Sequence, residues 1–215
     1  MRGAEPTVDE WPRGSAFFGL FRTNLAALLK DSGKEVVVPS SLSEAEEIPA
    51  GSGLYTKEEV TDLAKKYRKG STSSNHEARI FILFVDGFLS GGGKKMNDIV
   101  GLNVDPDGVV AVFKGAIDQR TKNRPDLRSS LEQVVMIHEA GHAIGLVANG
   151  IPTVSAHLDA DHPGHCTNPK CIMHFKMEGG AALMDLLDNA VMGSRTILFG
   201  QECLDDVRAR LSTPA

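Results

Sequence analysis

The chain has 215 residues, enough for one generous domain or two small ones, and its composition (41% hydrophobic, 24% charged) is ordinary for a globular protein with a real core. A formal charge of −5, a pI near 5.8 and the absence of any dense Lys or Arg run argue against a phosphate-binding surface, so nucleic acid is not an expected partner. The longest apolar run, Ile80 to Val85, is far shorter than the roughly 20 residues that cross a bilayer, so no membrane span is expected.

Residues 1 to 16 surround Trp11 with proline and charge and read as an arm. This opening stretch is polar and lacks the apolar core of a secretion signal. The compartment therefore stays open: cytoplasmic if the chain is complete, extracytoplasmic if a leader was removed. From Phe17 to Leu29 the apolar residues recur at helical spacing, and Gly33 marks a stop. Val36 to Val38 suggest a short strand, followed by a loop rich in Ser, Glu, Gly and Pro. TKEEVTDLAKKYRKG opens on Thr56 with Glu59 at the capping-box position and predicts a second helix ending at Gly70. ARIFILFVDGFLSGGG is apolar enough to predict a strand buried on both faces. DIVGLNV and VVAVFKGAI, joined by DPDG, predict two more strands.

After RPDLRSS comes a long helix, for which Asp126 or Ser129 is the expected cap, with Glu132 completing an S-x-x-E box. Leu127, Leu131, Val134 and Val135 form its apolar stripe, and the stripe extends through positions 138 and 142. His138 and His142 in HEAGH therefore share the inward face one turn apart, where two imidazoles can converge on one metal ion. Glu139 is rotated from His138 by about 100°. It is placed to act as a base rather than a ligand. The order of elements predicts an α+β (mixed α/β) single domain over 1–215, with an N-terminal part of unknown role (1–75), a sheet with the active-site helix (78–146) and a lower, cysteine-bearing part (147–215).

Two ligands do not complete a site, and three of the histidines that follow, His157, His162 and His165, are candidates for a third. Each is within reach. His76 and His174 are expected to be structural or exposed. Cys166, Cys171 and Cys203 make an odd count, so either Cys166 and Cys171 pair as a disulfide with Cys203 left over, or all three are thiolates on a metal.

His138, Glu139, His142 and Gly145 resemble the opening of the metzincin metallopeptidase signature, H-E-x-x-H-x-x-G-x-x-H, but Ala148 stands where its third His belongs. His165, Cys166, Cys171 and Met173, as HCTNPKCIM, are similar to the H-C-x4-C-x-M pattern of the archaemetzincin branch. The resemblance implies a zincin fold with a small mixed sheet, a long active-site helix and a methionine turn at Met173. It favours His165 as third ligand, arriving late after VANGIPTVSAHLDADHPG, with His157 and His162 as alternatives. Lengthening a loop is tolerable, since each doubling costs only about 0.6 kcal/mol. It further implies catalytic Zn2+, Glu139 as general base, and a second, structural Zn2+ held by the cysteines. There Gly200 in FGQEC replaces one expected Cys, so His157 or His162 would be the fourth ligand beside Cys166, Cys171 and Cys203. By the same resemblance Val109, Val110, Ala111, Val112 and Phe113 would form the edge strand on which a peptide or protein substrate pairs. The implied activity is that of a zinc endopeptidase. The alternatives are a non-catalytic zinc-stabilised binding module and a zinc hydrolase of small amides. Oligomeric state is not legible.

Overall fold

The structure, a computed structural model, describes residues 5–7, 18–30, 32–49, 51–68, 73–74, 77–105, 108–178, 181–192 and 196–212. It is a mixed α+β fold. Among the described residues six α-helices accompany two small mixed sheets and a two-stranded ribbon. None of these helices is long and apolar enough to cross a membrane.

Helix α1 (Gly19–Leu28) buries Leu20, Phe21, Leu25 and Leu28, as the spacing predicts. It has no side-chain cap of its own, and the Gln133 carboxamide oxygen accepts from the amides of Leu20 and Phe21 instead. Of the arm only 5–7 can be described, and Trp11 lies outside the described residues. Val36 to Val38 are not a strand: they run without a sheet partner, with Val36 and Val38 half-buried against the core and Val37 exposed. Strand β1 (Leu54–Tyr55) leads into helix α2 (Lys57–Tyr67). There Thr56 and Glu59 form the expected capping box. The helix stops at Tyr67, and Gly70 is outside the described residues.

Strands β2 (Ser73–Ser74) and β3 (Glu77–Ala78) pair as the ribbon. The apolar stretch after them is two strands, not one. β4 (Phe81–Val85) and β5 (Phe88–Gly91) are separated at Asp86 and Gly87 and enter different sheets. β4 is not buried on both faces: Leu83 and Val85 are buried, while Phe81, Ile82 and Phe84 remain half-covered, with Phe84 stacked on Phe18. β5 lies between β1 and β6 (Lys94–Met96).

β7 (Gly101–Asp105) and β8 (Val109–Phe113) are the two strands expected around DPDG, but KGAI belongs to helix α3 (Lys114–Arg120). The sheet order is β4-β8-β7, with β8 parallel to β4 and antiparallel to β7. Val109, Val110, Ala111, Val112 and Phe113 are thus not an edge strand. Both hydrogen-bonding sides are occupied and all five residues are buried. The edges of this sheet are β4 and β7.

Helix α4 (Arg128–Ile144) follows a 3-10 turn, Pro125–Leu127, and has no side-chain cap, so neither Asp126 nor Ser129 caps it and no capping box forms. Glu132 is drawn instead into a buried ion pair with Lys114, closed by the backbone amide of Thr7 at 2.7 Å. An ion pair out of water needs such extra donors to offset desolvation. Residues Ser129 to Gly141 of α4 are all buried, between α1 on one side and β7 and β8 on another. The helix ends at Gly145 (φ 96), where Leu146 donates to Gly141 O and Gly145 to His142 O, the two bonds of a Schellman stop.

The C-terminal part carries helices α5 (Ala181–Met192) and α6 (Gln201–Ser212). Asn24 ties α1 to it, accepting from Leu198 N and donating to Thr196 O. One hydrophobic cluster runs from Phe18 through α4 to Val207, so residues of all three sequence segments share a core.

Candidate metal centre

His138 and His142 face inward from α4 as the stripe predicts, and the loop after α4 returns His165 to them. Donor atoms of the three imidazoles all lie within 4.8 Å of one another. The Nε2 atoms of His138 and His142 are 3.1 Å apart, close to the ~3.3 Å edge of a tetrahedron with metal–nitrogen bonds of about 2.0 Å. His138 Nδ1 donates to the Ile172 carbonyl at 2.7 Å. A carbonyl only accepts, so Nε2 is the nitrogen left with a lone pair for an ion. Burial, reinforced by the neighbouring His165, pushes the His142 pKa down to about 4, which keeps this imidazole in the neutral, ligating form.

Glycine at two places lets this cluster close. A Cβ at Gly141 would run into Met173 Sδ, so Met173, fully buried, packs directly under the turn of helix that separates the two histidines. A Cβ at Gly101 would meet Val135 and Glu139, so β7 rides against the helix where Glu139 projects. Glu139, largely buried, lines a cleft of about 500 Å³ together with His142 and His165. Leu102 and Asn103 of β7 form one wall of it, and the 147–164 segment forms another.

The other two histidines of that segment go elsewhere. His157 is buried against the cysteines, its Nδ1 3.4 Å from Cys166 Sγ and its Nε2 2.8 Å from Asp206 Oδ2. His162 stacks on Phe175 with ring centroids 3.6 Å apart and pairs with Asp159, outside both donor clusters. His174 is buried and also packs on Phe175. His76 lies outside the described residues.

All three cysteines are buried free thiols rather than a disulfide. Cys171 Sγ and Cys203 Sγ are 3.6 Å apart, and His157, Cys166 and Cys203 form a second group able to hold a metal ion. A tetrahedral ion with metal–sulfur bonds of about 2.3 Å has sulfur–sulfur edges of ~3.8 Å. The Cys171–Cys203 spacing fits, but Cys171 does not fall within the group formed by His157, Cys166 and Cys203. Hydrogen bonds from Cys166 and Cys203 hold the Cys171 thiol down at about 4 against the effect of burial, helped by the backbone amides of Gly200 and Met173, while Cys203 is pushed up. For His157, burial pulls the pKa down, but the hydrogen bonds to Cys166 and Asp206 together carry it up. Gly200 donates its amide to Cys171 Sγ at 3.1 Å, so the position lacking a thiol still contributes a donor to the cluster.

Sequence reasoning missed Asp206 and the Ile172 carbonyl. Asp206 lies three residues after Cys203 on α6 and is therefore on the same helical face, a spacing visible in the sequence; a backbone carbonyl leaves no such signal. No family model, no curated protein and no solved structure matches this chain.

Proposed function

We propose that the chain is a zinc-dependent metallopeptidase of metzincin-like build. The observation that carries the reading is the convergence of His138, His142 and His165 beside Glu139 on one open cleft. His138, His142 and His165 would hold the catalytic ion. When bound, zinc supplies a Lewis acid that brings the pKa of a water toward ~7 and polarises a substrate carbonyl. The rest is done by the chain. Ile172 fixes the tautomer of His138, burial keeps His142 neutral, and Met173 supports the helix from below. Glu139 takes the proton of the attacking water and returns it to the leaving amine. An extended substrate pairs along the outer side of β7, which is the sheet edge nearest the cleft.

Cys166, Cys171, Cys203 and His157 would hold a second zinc with a closed ligand set, a structural role, with Asp206 orienting His157. That the 147–164 segment forms a cleft wall beside Glu139 supports an enzyme over a non-catalytic zinc-stabilised module. A small-amide hydrolase would use the same residues but would not need the strand edge.

Metal analysis and digestion of an unfolded protein substrate test the reading together. The expected result is two zinc ions per chain and peptide cleavage that falls by roughly 10²- to 10⁴-fold in Glu139→Gln, with the metal retained. A protein that binds no metal, or a Glu139→Gln variant as active as the parent, overturns it.

A further inference from the structure

We propose that Asn103 is a substrate-binding residue whose carboxamide oxygen accepts a backbone N–H of the bound peptide beside the scissile bond. This rests on the peptidase reading above, and it narrows the substrates to peptides with a secondary amide at that place, against proline or an N-methylated residue.

Asn103 lies on the edge strand β7 and lines the cleft that holds Glu139, His142 and His165. The pleat sets the direction of its side chain. Residues two apart in a strand share a face, and a side chain at Gly101 would run into Val135 and Glu139 of α4. Asn103 therefore faces the active-site helix, two residues beyond the point where β7 meets Glu139. The ladder to β8 slips just after it, pairing Asn103 with Val110 but Asp105 with Val109. Bulges of this kind re-aim side chains and concentrate beside active sites.

The oxygen of this carboxamide is shut off from solvent, yet among the described residues it has no hydrogen-bond partner. Folded proteins satisfy nearly all such groups, because a buried acceptor left unmade carries its desolvation cost with no return. Asn149, the other asparagine of the lining, is tied into the fold by donating to His142 O at 3.1 Å. Asparagine is also poorly suited to a strand. A residue that goes against local preference and leaves a polar atom unsatisfied at a cleft is the mark of a ligand contact. An oxygen that only accepts recognises a donor, and the donors a peptide brings whatever its sequence are its backbone N–H groups. A neutral carboxamide also suits the charges of this cleft. A carboxylate at 103 would compete for the ion on the histidines, and an ammonium group would pair with Glu139.

An N-methyl scan of a cleaved peptide, run on the parent and on Asn103→Leu, tests the contact. In the parent, N-methylation at one residue beside the cleaved bond is expected to lower kcat/KM about tenfold. Asn103→Leu should lower kcat/KM for the unmethylated peptide by about the same factor and lose nothing further at that residue, the non-additivity that marks two partners of one hydrogen bond. The histidine-bound metal should stay in place. The peptide-free variant should unfold at a denaturant concentration no lower than the parent's, since the substitution removes an unsatisfied acceptor. Asn103→Ala repeats the cycle with a smaller side chain. N-methyl penalties that are the same with and without Asn103, or variants that cleave as well as the parent, overturn the proposal. So do loss of the metal, which would make Asn103 a ligand of the ion, and failure of both variants to fold, which would make its oxygen structural. A parent that cleaves no peptide overturns the peptidase reading instead. The same scan, read as binding to zinc-loaded Glu139→Gln protein with and without Asn103→Leu, then decides the contact, and the lack of any Asn103-dependent loss sinks it as well.

Discussion

Gly141 lies within the last turn of α4, where glycine ordinarily costs up to about 1 kcal/mol relative to alanine. Met173 reverses that preference. A methyl group at 141 would press on Met173 Sδ, so Gly141→Ala is expected to lower stability by about 1–3 kcal/mol, read as a drop in the denaturant midpoint, even though it improves helix propensity. His142 makes a second prediction for the metal-free protein. Its folded pKa near 4 lies below the unfolded value near 6.5, so between these the unfolded chain binds more protons. Stability is complete above about pH 6.5 and falls as pH drops toward 4, by an amount of order 3 kcal/mol. Denaturant titrations at pH 7 and 4.5 should show a smaller difference for His142→Gln than for the parent; an unchanged difference would count against a buried neutral imidazole. At this scale HEAGH was readable from the sequence because an i, i+4 pair on an apolar stripe has one geometry. The Gly141 and Met173 contact joins residues 32 positions apart, and no local pattern encodes it.

Among the elements, the strand edge shows where pattern reading goes astray. VVAVF was expected at the edge, yet an unbroken apolar run is what a strand buried on both faces requires, and β8 is the central strand. The alternation of GLNVD was the better edge signal. Helix α4 likewise begins without the box that Ser129 and Glu132 suggest, because pairing with a buried Lys114 outweighs a cap. Helix α6 delivers Cys203 and Asp206 from one face, and Asp206 is fully buried on His157 and the amide of Val154. Loss of a carboxylate behind a ligating histidine typically weakens metal binding by 10- to 100-fold. Asp206→Asn should therefore lower affinity at the cysteine cluster by about that factor, measured by competition with a chromophoric chelator, while the three-histidine group keeps its own affinity.

Across the whole molecule the two donor clusters share one short stretch of chain. His165 and Cys166 are adjacent, Ile172 orients His138, and Cys166 N donates to Met173 O at 2.8 Å. A metal at the cysteines would hold this stretch in place, and its binding free energy adds to folding free energy. Chelation is therefore expected to lower the melting temperature by several degrees and to release the histidine-bound metal along with the other. A melting temperature that chelation does not move would argue that neither cluster is loaded. Cys203→Ser should mimic chelation in part, by removing one sulfur of the proposed ligand set.

The α+β class, helices α1, α2 and α4, and the pairing of His138 with His142 around Glu139 were determined by local pattern alone, since helical periodicity and capping act within a few residues. Which of His157, His162 and His165 joins them was decided only in three dimensions. The 147–164 segment is long enough to bring any of the three to the helix. His157 is held elsewhere by Cys166 and by Asp206 of α6, about 50 residues further on, and His162 by Phe175 and Asp159, which leaves His165 beside the helical pair. The edge strand, the thiol cluster and the cleft walls belong to the same class. Each depends on contacts between distant segments, and chain spacing sets what such segments can reach without setting what they meet.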